Sequence, residues 1–145
     1  MSALTAEGIL PFEPLYFEKG FVLENSIDPG IRVQGSACHL RQVLDILLDN
    51  AMKYAAPKSQ VLVRLRRTGS HCVLSVASLG ETLSRQELKD IFKRFYRVDK
   101  VRSRSGSYGL GLSIAGSIVQ EHRGKIWAES EKGVNTFYVQ LPAIG

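Results

Sequence analysis

Between residues 106 and 112 the chain reads Gly-Ser-Tyr-Gly-Leu-Gly-Leu, three glycines that end a polar, basic stretch and open an apolar helical pattern. A helix start leaves its first N–H groups without intrahelical partners and carries the positive end of the dipole. Gly109 and Gly111 let that backbone approach an anion with no Cβ in the way, so the chemistry on offer is phosphate binding. Glycines at such a junction also serve capping or close packing, and this motif alone does not separate the uses. A second group lies on the helical stretch 37–55. Lys53 and Tyr54 follow Asn50 by three and four residues, so all three project from nearly the same face. An amide oxygen suits a hard cation such as Mg²⁺, a Lys ammonium suits a phosphate, and a Tyr ring can line a base. Taken in isolation, such a helix more often has residues like Asn50 and Lys53 in solvent and Tyr54 in the core.

Two such groups need a frame that holds them face to face, and the apolar periodicity supplies its outline. Leu40, Val43, Leu44, Leu47, Leu48, Ala51 and Tyr54 recur at helical spacing from Ala37 to Ala55, ending before Pro57. Phe21–Ile27 and Ile31–Gln34 flank Asp28-Pro29-Gly30, which predicts a short strand on each side of a turn. Gln60–Thr68 and His71–Ala77 alternate around Gly69-Ser70 as a hairpin. Ser84, with Glu87 three residues on, predicts a capped short helix through Phe92. Residues 97 to 108 have no periodicity and are assigned to a mobile loop. Leu110–His122 reads as the second long helix, stopped by Gly124, and Lys125–Ser130 and Val134–Leu141 as a closing hairpin across Glu131-Lys132-Gly133. The expected fold class is α+β, a two-layer α/β sandwich with helices on one face of a mixed, mostly antiparallel sheet.

The 145 residues, 44% hydrophobic, suffice for one sizeable core, and no Pro- or Ser-rich linker divides them, so one domain spanning 1–145 is expected. The formal charge of +5 is spread widely, with concentrations only at Arg64–Arg67 and Lys93–Arg104. The first alternates like a solvated strand face. The second precedes the glycine turn, where cations face a nucleotide's phosphates as naturally as DNA, and composition does not choose between them. Cys38 and Cys72 lack metal-ligand spacing and indicate no disulfide framework, which fits a reducing, cytoplasmic setting. No apolar run reaches membrane-spanning length, and Met1–Gly8 lacks the features of a signal peptide.

Four segments in order then carry a resemblance. Leu47-Leu48-Asp49-Asn50-Ala51-Met52-Lys53-Tyr54, Ile91-Phe92-Lys93-Arg94-Phe95-Tyr96-Arg97-Val98-Asp99, Gly109-Leu110-Gly111-Leu112 and His122-Arg123-Gly124-Lys125-Ile126 resemble the successive boxes of sensor histidine kinase ATP-binding domains. The resemblance covers about residues 10–142 and implies the Bergerat α/β sandwich. It implies Asn50 as the Mg²⁺ ligand, Lys53 as a phosphate contact, Tyr54 as a wall of the nucleotide pocket, and Arg97 and Arg102 as basic groups approaching the phosphates. Phe92 and Phe95 resemble anchors of a lid. Gly106, Tyr108, Gly109, Leu110, Gly111 and Leu112 match the second glycine box, whose amides cradle the triphosphate of ATP. Ser78 and Gly80 fall in the first. The implied partners are ATP or ADP, an upstream dimerisation and histidine phosphotransfer module, and a response regulator reached through it, with no nucleic acid and no membrane contact from this stretch. The chain is expected to be a monomeric catalytic domain excised from a longer, membrane-bound sensor kinase.

The departures carry expectations of their own. Where the family has Asp-x-Gly-x-Gly, the chain has Ser78-Leu79-Gly80-Glu81-Thr82, so the acid that reads the adenine amino group is replaced by a neutral hydroxyl, and weaker or less adenine-selective binding is expected. Ile46, four residues before Asn50, stands where hydrolysing relatives place a water-activating Glu, so little intrinsic ATP hydrolysis is expected. His39, His71 and His122 lack the acidic, Arg-containing context of a phosphoacceptor. Two other readings stay open on sequence alone: a degenerate nucleotide-binding or protein-interaction module, and a nucleic-acid binder with a steep salt dependence.

Overall fold

The computed structural model of the chain describes residues 1–93 and 111–145. Its frame is a five-stranded sheet with helices packed on one face. Strand β1 (Val22–Ile27) runs parallel to β2 (Gln60–Thr68), which turns back antiparallel into β3 (His71–Leu79). The last hairpin, β4 (Lys125–Glu131) and β5 (Val134–Pro142), inserts β5 beside β3, giving the order β1-β2-β3-β5-β4. Period-two alternation sends Val61, Val63, Leu65, Cys72, Leu74, Val76, Val139 and Leu141 to the helix side, where all are buried. The opposite face carries Trp127 stacked on its cross-strand partner Tyr138, ring centroids 5.1 Å apart and 13° from parallel. Burial, with Glu129 second, holds the Tyr138 phenol above its ordinary pKa.

Helix α3 (Ala37–Tyr54) lies across the inner face and buries Leu40, Val43, Leu44, Leu47, Leu48 and Ala51, the stripe expected from the periodicity except for Tyr54, which the end of the helix leaves exposed. Ser36 caps it, its hydroxyl accepting the His39 N–H at 3.2 Å. The start of α3 is also held from a distance. The Ser36 N–H donates to His122 Nε2 at 3.1 Å, while His122 Nδ1 lies 2.7 Å from the Ile118 carbonyl. A Cβ on Gly35 would stand 2.2 Å from that imidazole, so the loop passes there only as glycine.

Residues upstream of the stretch covered by the resemblance form α1 (Ser2–Ile9), which buries Thr5 and Ile9. Pro11 then stands at the N-cap of α2 (Phe12–Glu18), where a missing N–H costs nothing, and breaks the two helices apart. Tyr16 of α2 is completely buried and donates its hydroxyl to the Leu48 carbonyl at 2.6 Å, between Phe12 and Phe21. Burial, with the Asp49 carboxylate adding to it, pushes the Tyr16 phenol far above its ordinary range.

The strand expected at Ile31–Gln34 does not form. The Ile31 carbonyl accepts from the Met1 amino group at 2.7 Å and the Ser2 N–H at 3.1 Å, and its N–H donates to Ser2 Oγ at 2.8 Å. Its backbone is spent tying down the start of α1, and β1 takes β2 rather than this segment as its neighbour. Gly30, at φ +72°, makes the turn as expected.

The short helix α4 (Arg85–Asp90) opens with a complete capping box: Ser84 Oγ accepts the Glu87 N–H and a Glu87 carboxylate oxygen accepts the Ser84 N–H, both at 3.1 Å. Lys93 and Gln86 hold the Asp90 carboxyl below its usual range. Ser84→Ala is expected to cost about 1 kcal/mol, read as a lower urea midpoint at unchanged m-value. Helix α5 (Gly111–Glu121) packs on α3 through Ala115, Ile118 and Val119. Its stop differs from expectation: the left-handed residue is Arg123, at φ +60°, not Gly124. Gly124 answers a packing demand instead, since a Cβ there would lie 2.3 Å from the Gln140 carbonyl.

Candidate functional site

The last two turns of α3 are where the sequence-predicted groups meet. Asn50 and Lys53 are half-buried and Tyr54 is exposed, on a helix whose opposite stripe is locked into the core. Lys53 Nζ lies 2.9 Å from the carboxylate of Asp49, an i,i+4 ion pair that the sequence reading leaves out. Both partners remain accessible, with side chains 27% and 48% exposed, so the pair is worth only about 0.3–0.5 kcal/mol and yields readily to a stronger anion.

Two other segments close on the same part of the helix. The first residue of α5, Gly111, sits over α3 one turn before Asn50: a Cβ on it would be 3.5 Å from Ile46 Cγ2. The first turn of α5 holds no acidic side chain to compensate the positive end of its dipole. Leu112, expected among the nucleotide-binding residues, is half-buried with its side chain packed against the core. At the far end of α3 the Ala56 N–H donates to the Leu79 carbonyl at 2.7 Å, joining the helix to the loop after β3. Gly80 follows, and a Cβ there would meet the Tyr54 carbonyl at 3.3 Å and Asn135 Nδ2 at 3.1 Å. Ser78, in phase with buried Cys72, Leu74 and Val76, faces the helices from the sheet.

Asn50, Lys53, Tyr54, Ser78, Gly80 and Gly111 are thus distributed around one end of α3, on four different segments. Arg97, Arg102, Gly106, Tyr108, Gly109 and Leu110, with Phe95, lie outside the described residues. Phe92 meets Phe137 edge to face, centroids 6.1 Å apart, and contributes to a groove of about 770 Å³ between α5 and β4 that holds none of the other nucleotide-site residues. The sequence reading also passes over Asn135 and Ser130. The signal was available for Asn135, a polar residue in phase with Phe137, Val139 and Leu141 on the apolar side of its strand.

Over residues 35–144, which include every one of these site positions, the sequence matches the family of histidine kinase-, DNA gyrase B- and HSP90-like ATPases. The chain belongs to this family. Within it, the chain is 34% identical over 145 residues to the sensor protein DltS of Streptococcus agalactiae strain NEM316, covering 100% of the chain and 37% of that protein. It is 42% identical over 105 residues to the adaptive-response sensory kinase SasA of Synechococcus elongatus, covering 71% of the chain and 27% of that protein. The domain therefore spans little more than a third of the relatives it matches, or less. Its fold superimposes on the catalytic domain of the histidine kinase ThkA with a TM-score of 0.87 at 24% identity, covering 98% of this chain and 91% of that one. ThkA in complex with the response regulator TrrA gives a TM-score of 0.85 at 22% identity, covering 99% of this chain and 40% of that one. Among the described residues, no helix is long and apolar enough to cross a membrane.

Proposed function

We propose that this domain binds Mg-ATP at the end of α3 and donates the γ-phosphoryl group to a histidine on a separate dimerisation module of a two-component sensor kinase. The observation that supports the reading is the packing of Gly111 over Ile46, which sets the start of α5, with no acidic side chain in its first turn, beside the face bearing Asn50 and Lys53. Two sources of positive potential and one neutral oxygen donor converge there, the combination a polyphosphate with a hard cation requires.

The donor set fits the cation. The half-buried Asn50 amide oxygen is a neutral, hard donor, so Mg²⁺ would be held by it with phosphate oxygens and water, its usual environment beside a nucleotide. When bound, the ion neutralises phosphate charge. Lys53, released from Asp49, serves as a point charge for a phosphate oxygen, and the α5 amides hold the chain of phosphates in place. Tyr54 lines the base side. Arg97 and Arg102 complete the phosphate contacts in this reading, with Gly106, Tyr108, Gly109 and Leu110 supplying the rest of the cradle. The neutral imidazole of the acceptor is already nucleophilic, so catalysis rests on positioning and charge.

Water is a poor acceptor here for a structural reason. Ile46 is packed against the core and under Gly111, and its alkyl side chain can neither take a proton nor orient a water molecule. Phosphate release from ATP by the isolated domain is expected to stay at buffer background in a coupled assay; sustained turnover would overturn this assignment. In the full kinase the domain is assigned to the cytoplasmic side, with the response regulator engaged through the upstream module. The reading is tested by calorimetric titration with ADP and a non-hydrolysable ATP analogue, with and without Mg²⁺. Saturable, Mg²⁺-dependent binding supports it. No binding at millimolar nucleotide would leave a protein-interaction module that has kept the fold.

A further inference from the structure

The β4–β5 hairpin places a second polar side chain beside Ser78. One row of residues crosses the helix-facing side of the sheet, Leu23, Val61, Ser78, Asn135 and Ser130, each paired in register with the next. Its apolar half is core. Its polar half lies against the loop that follows β3, at the end of α3. Asn135 Nδ2 donates to the Glu81 carbonyl at 3.0 Å, and Oδ1 accepts from Ser130 Oγ at 2.5 Å. Ser130 Oγ in turn accepts the Leu83 N–H at 2.8 Å, and the Gly80 N–H donates to the Gly133 carbonyl at 2.9 Å. The hairpin therefore fixes the path of residues 80–83, and the Asn135 amide stands directly against Gly80, where a Cβ would approach it to 3.1 Å.

A primary amide has two N–H donors and two acceptor lone pairs on its oxygen. These two bonds use one at each end, so the amide still offers one donor and one acceptor beside the Ser78 hydroxyl, which itself rotates to donate or accept. A carboxylate in the place of Ser78 would accept only, favouring an exocyclic amino group and repelling an oxo group. We propose that Asn135 is a specificity-determining residue of the nucleotide site, forming with Ser78 a neutral floor that takes a six-oxo purine as readily as a six-amino purine. The proposal rests on the nucleotide-site reading above and names the base class that the site admits.

The test is a calorimetric titration of the domain and three variants with ADP, IDP and inorganic tripolyphosphate, each with Mg²⁺. The domain binds ADP and IDP within about threefold of each other, because neither edge leaves a buried group unpaired. Ser78→Asp and Asn135→Asp each install an acceptor-only group and move the ratio toward ADP by about tenfold or more, the scale of one charge-assisted hydrogen bond. Asn135→Ala weakens both nucleotides while leaving tripolyphosphate unchanged. Asn135→Asp keeps the side-chain size and the acceptor for Ser130 but loses the donor to the Glu81 carbonyl, a loss that Asn135→Ala shares without adding an acceptor, so an ADP:IDP ratio that is the same in both variants overturns the proposal. A preference for ADP of about tenfold or more before any substitution also overturns it. Failure of the nucleotide reading looks different: the unsubstituted domain then binds neither nucleotides nor tripolyphosphate, and the base proposal goes with it.

Discussion

Asn50→Ala is expected to weaken Mg-ADP binding by at least about tenfold, a loss of about 1.4 kcal/mol or more, and to erase the difference between titrations with Mg²⁺ and with EDTA. The residue is half-buried on a helix whose core stripe is untouched by the change, so the thermal midpoint should move little. That separation makes the experiment decisive, because loss of affinity without loss of stability cannot be attributed to unfolding. Asn50→Asp distinguishes the oxygen's role further. A carboxylate remains an oxygen ligand for the cation but sets a negative charge against the phosphates, so metal-free nucleotide binding should fall more than metal-bound. Lys53→Ala should weaken binding with and without Mg²⁺ alike, since its contribution is charge on the phosphate rather than metal ligation. Retained Mg²⁺ dependence in Asn50→Ala would move the metal ligand elsewhere.

Leu44→Ala should be the most damaging single core truncation in α3, costing about 2–5 kcal/mol against a total of about 5–15 for a domain of this kind. Leu44 is wholly buried, and it supports two layers at once. Beyond its place in the α3 stripe, its Cδ2 would lie 2.4 Å from a Cβ built on Gly8, so α1 closes directly over it. Removing the side chain opens a cavity between α1 and α3 and loosens Ile9 and Tyr16 nearby in the same core. Gly8→Ala should destabilise for the opposite reason, overfilling the contact. The double variant is then informative: added bulk on α1 fills part of the space vacated on α3, and the pair should be more stable than Leu44→Ala by a measurable margin in urea unfolding. Strict additivity of the two losses would show that Gly8 and Leu44 do not share that space.

How far the sequence reaches depends on the range of the interaction that fixes each feature. Local periodicity and caps were enough for α3, for both hairpins and for the Ser84 capping box, since their decisive bonds lie within a few residues. The ordered boxes were enough for the family; Asn50, Lys53 and Gly111 are the site candidates they name. What went wrong went wrong through long-range competition. Ile31 looked like a strand residue, yet Met1 and Ser2, some thirty positions away, claim its backbone. Gly124 looked like a helix stop, yet Arg123 takes the left-handed turn and the glycine serves the Gln140 carbonyl on β5.

The site divides in the same way. Residue types and helical spacing alone put an amide, an ammonium and a phenol on one face of α3, because an α-helix has a fixed period. That Gly111 should meet Ile46, that Lys53 should rest on Asp49, and that Ser78 and Asn135 should stand side by side behind Gly80 followed only from the packing of α5 on α3 and the insertion of β5 next to β3. Local spacing shows which neighbouring strands form hairpins, but it does not say how β1 and the two hairpins are ordered across the sheet until hydrophobic burial has chosen a topology. The chemistry of each group was therefore written in the chain, and their assembly around one end of α3 was decided by the fold.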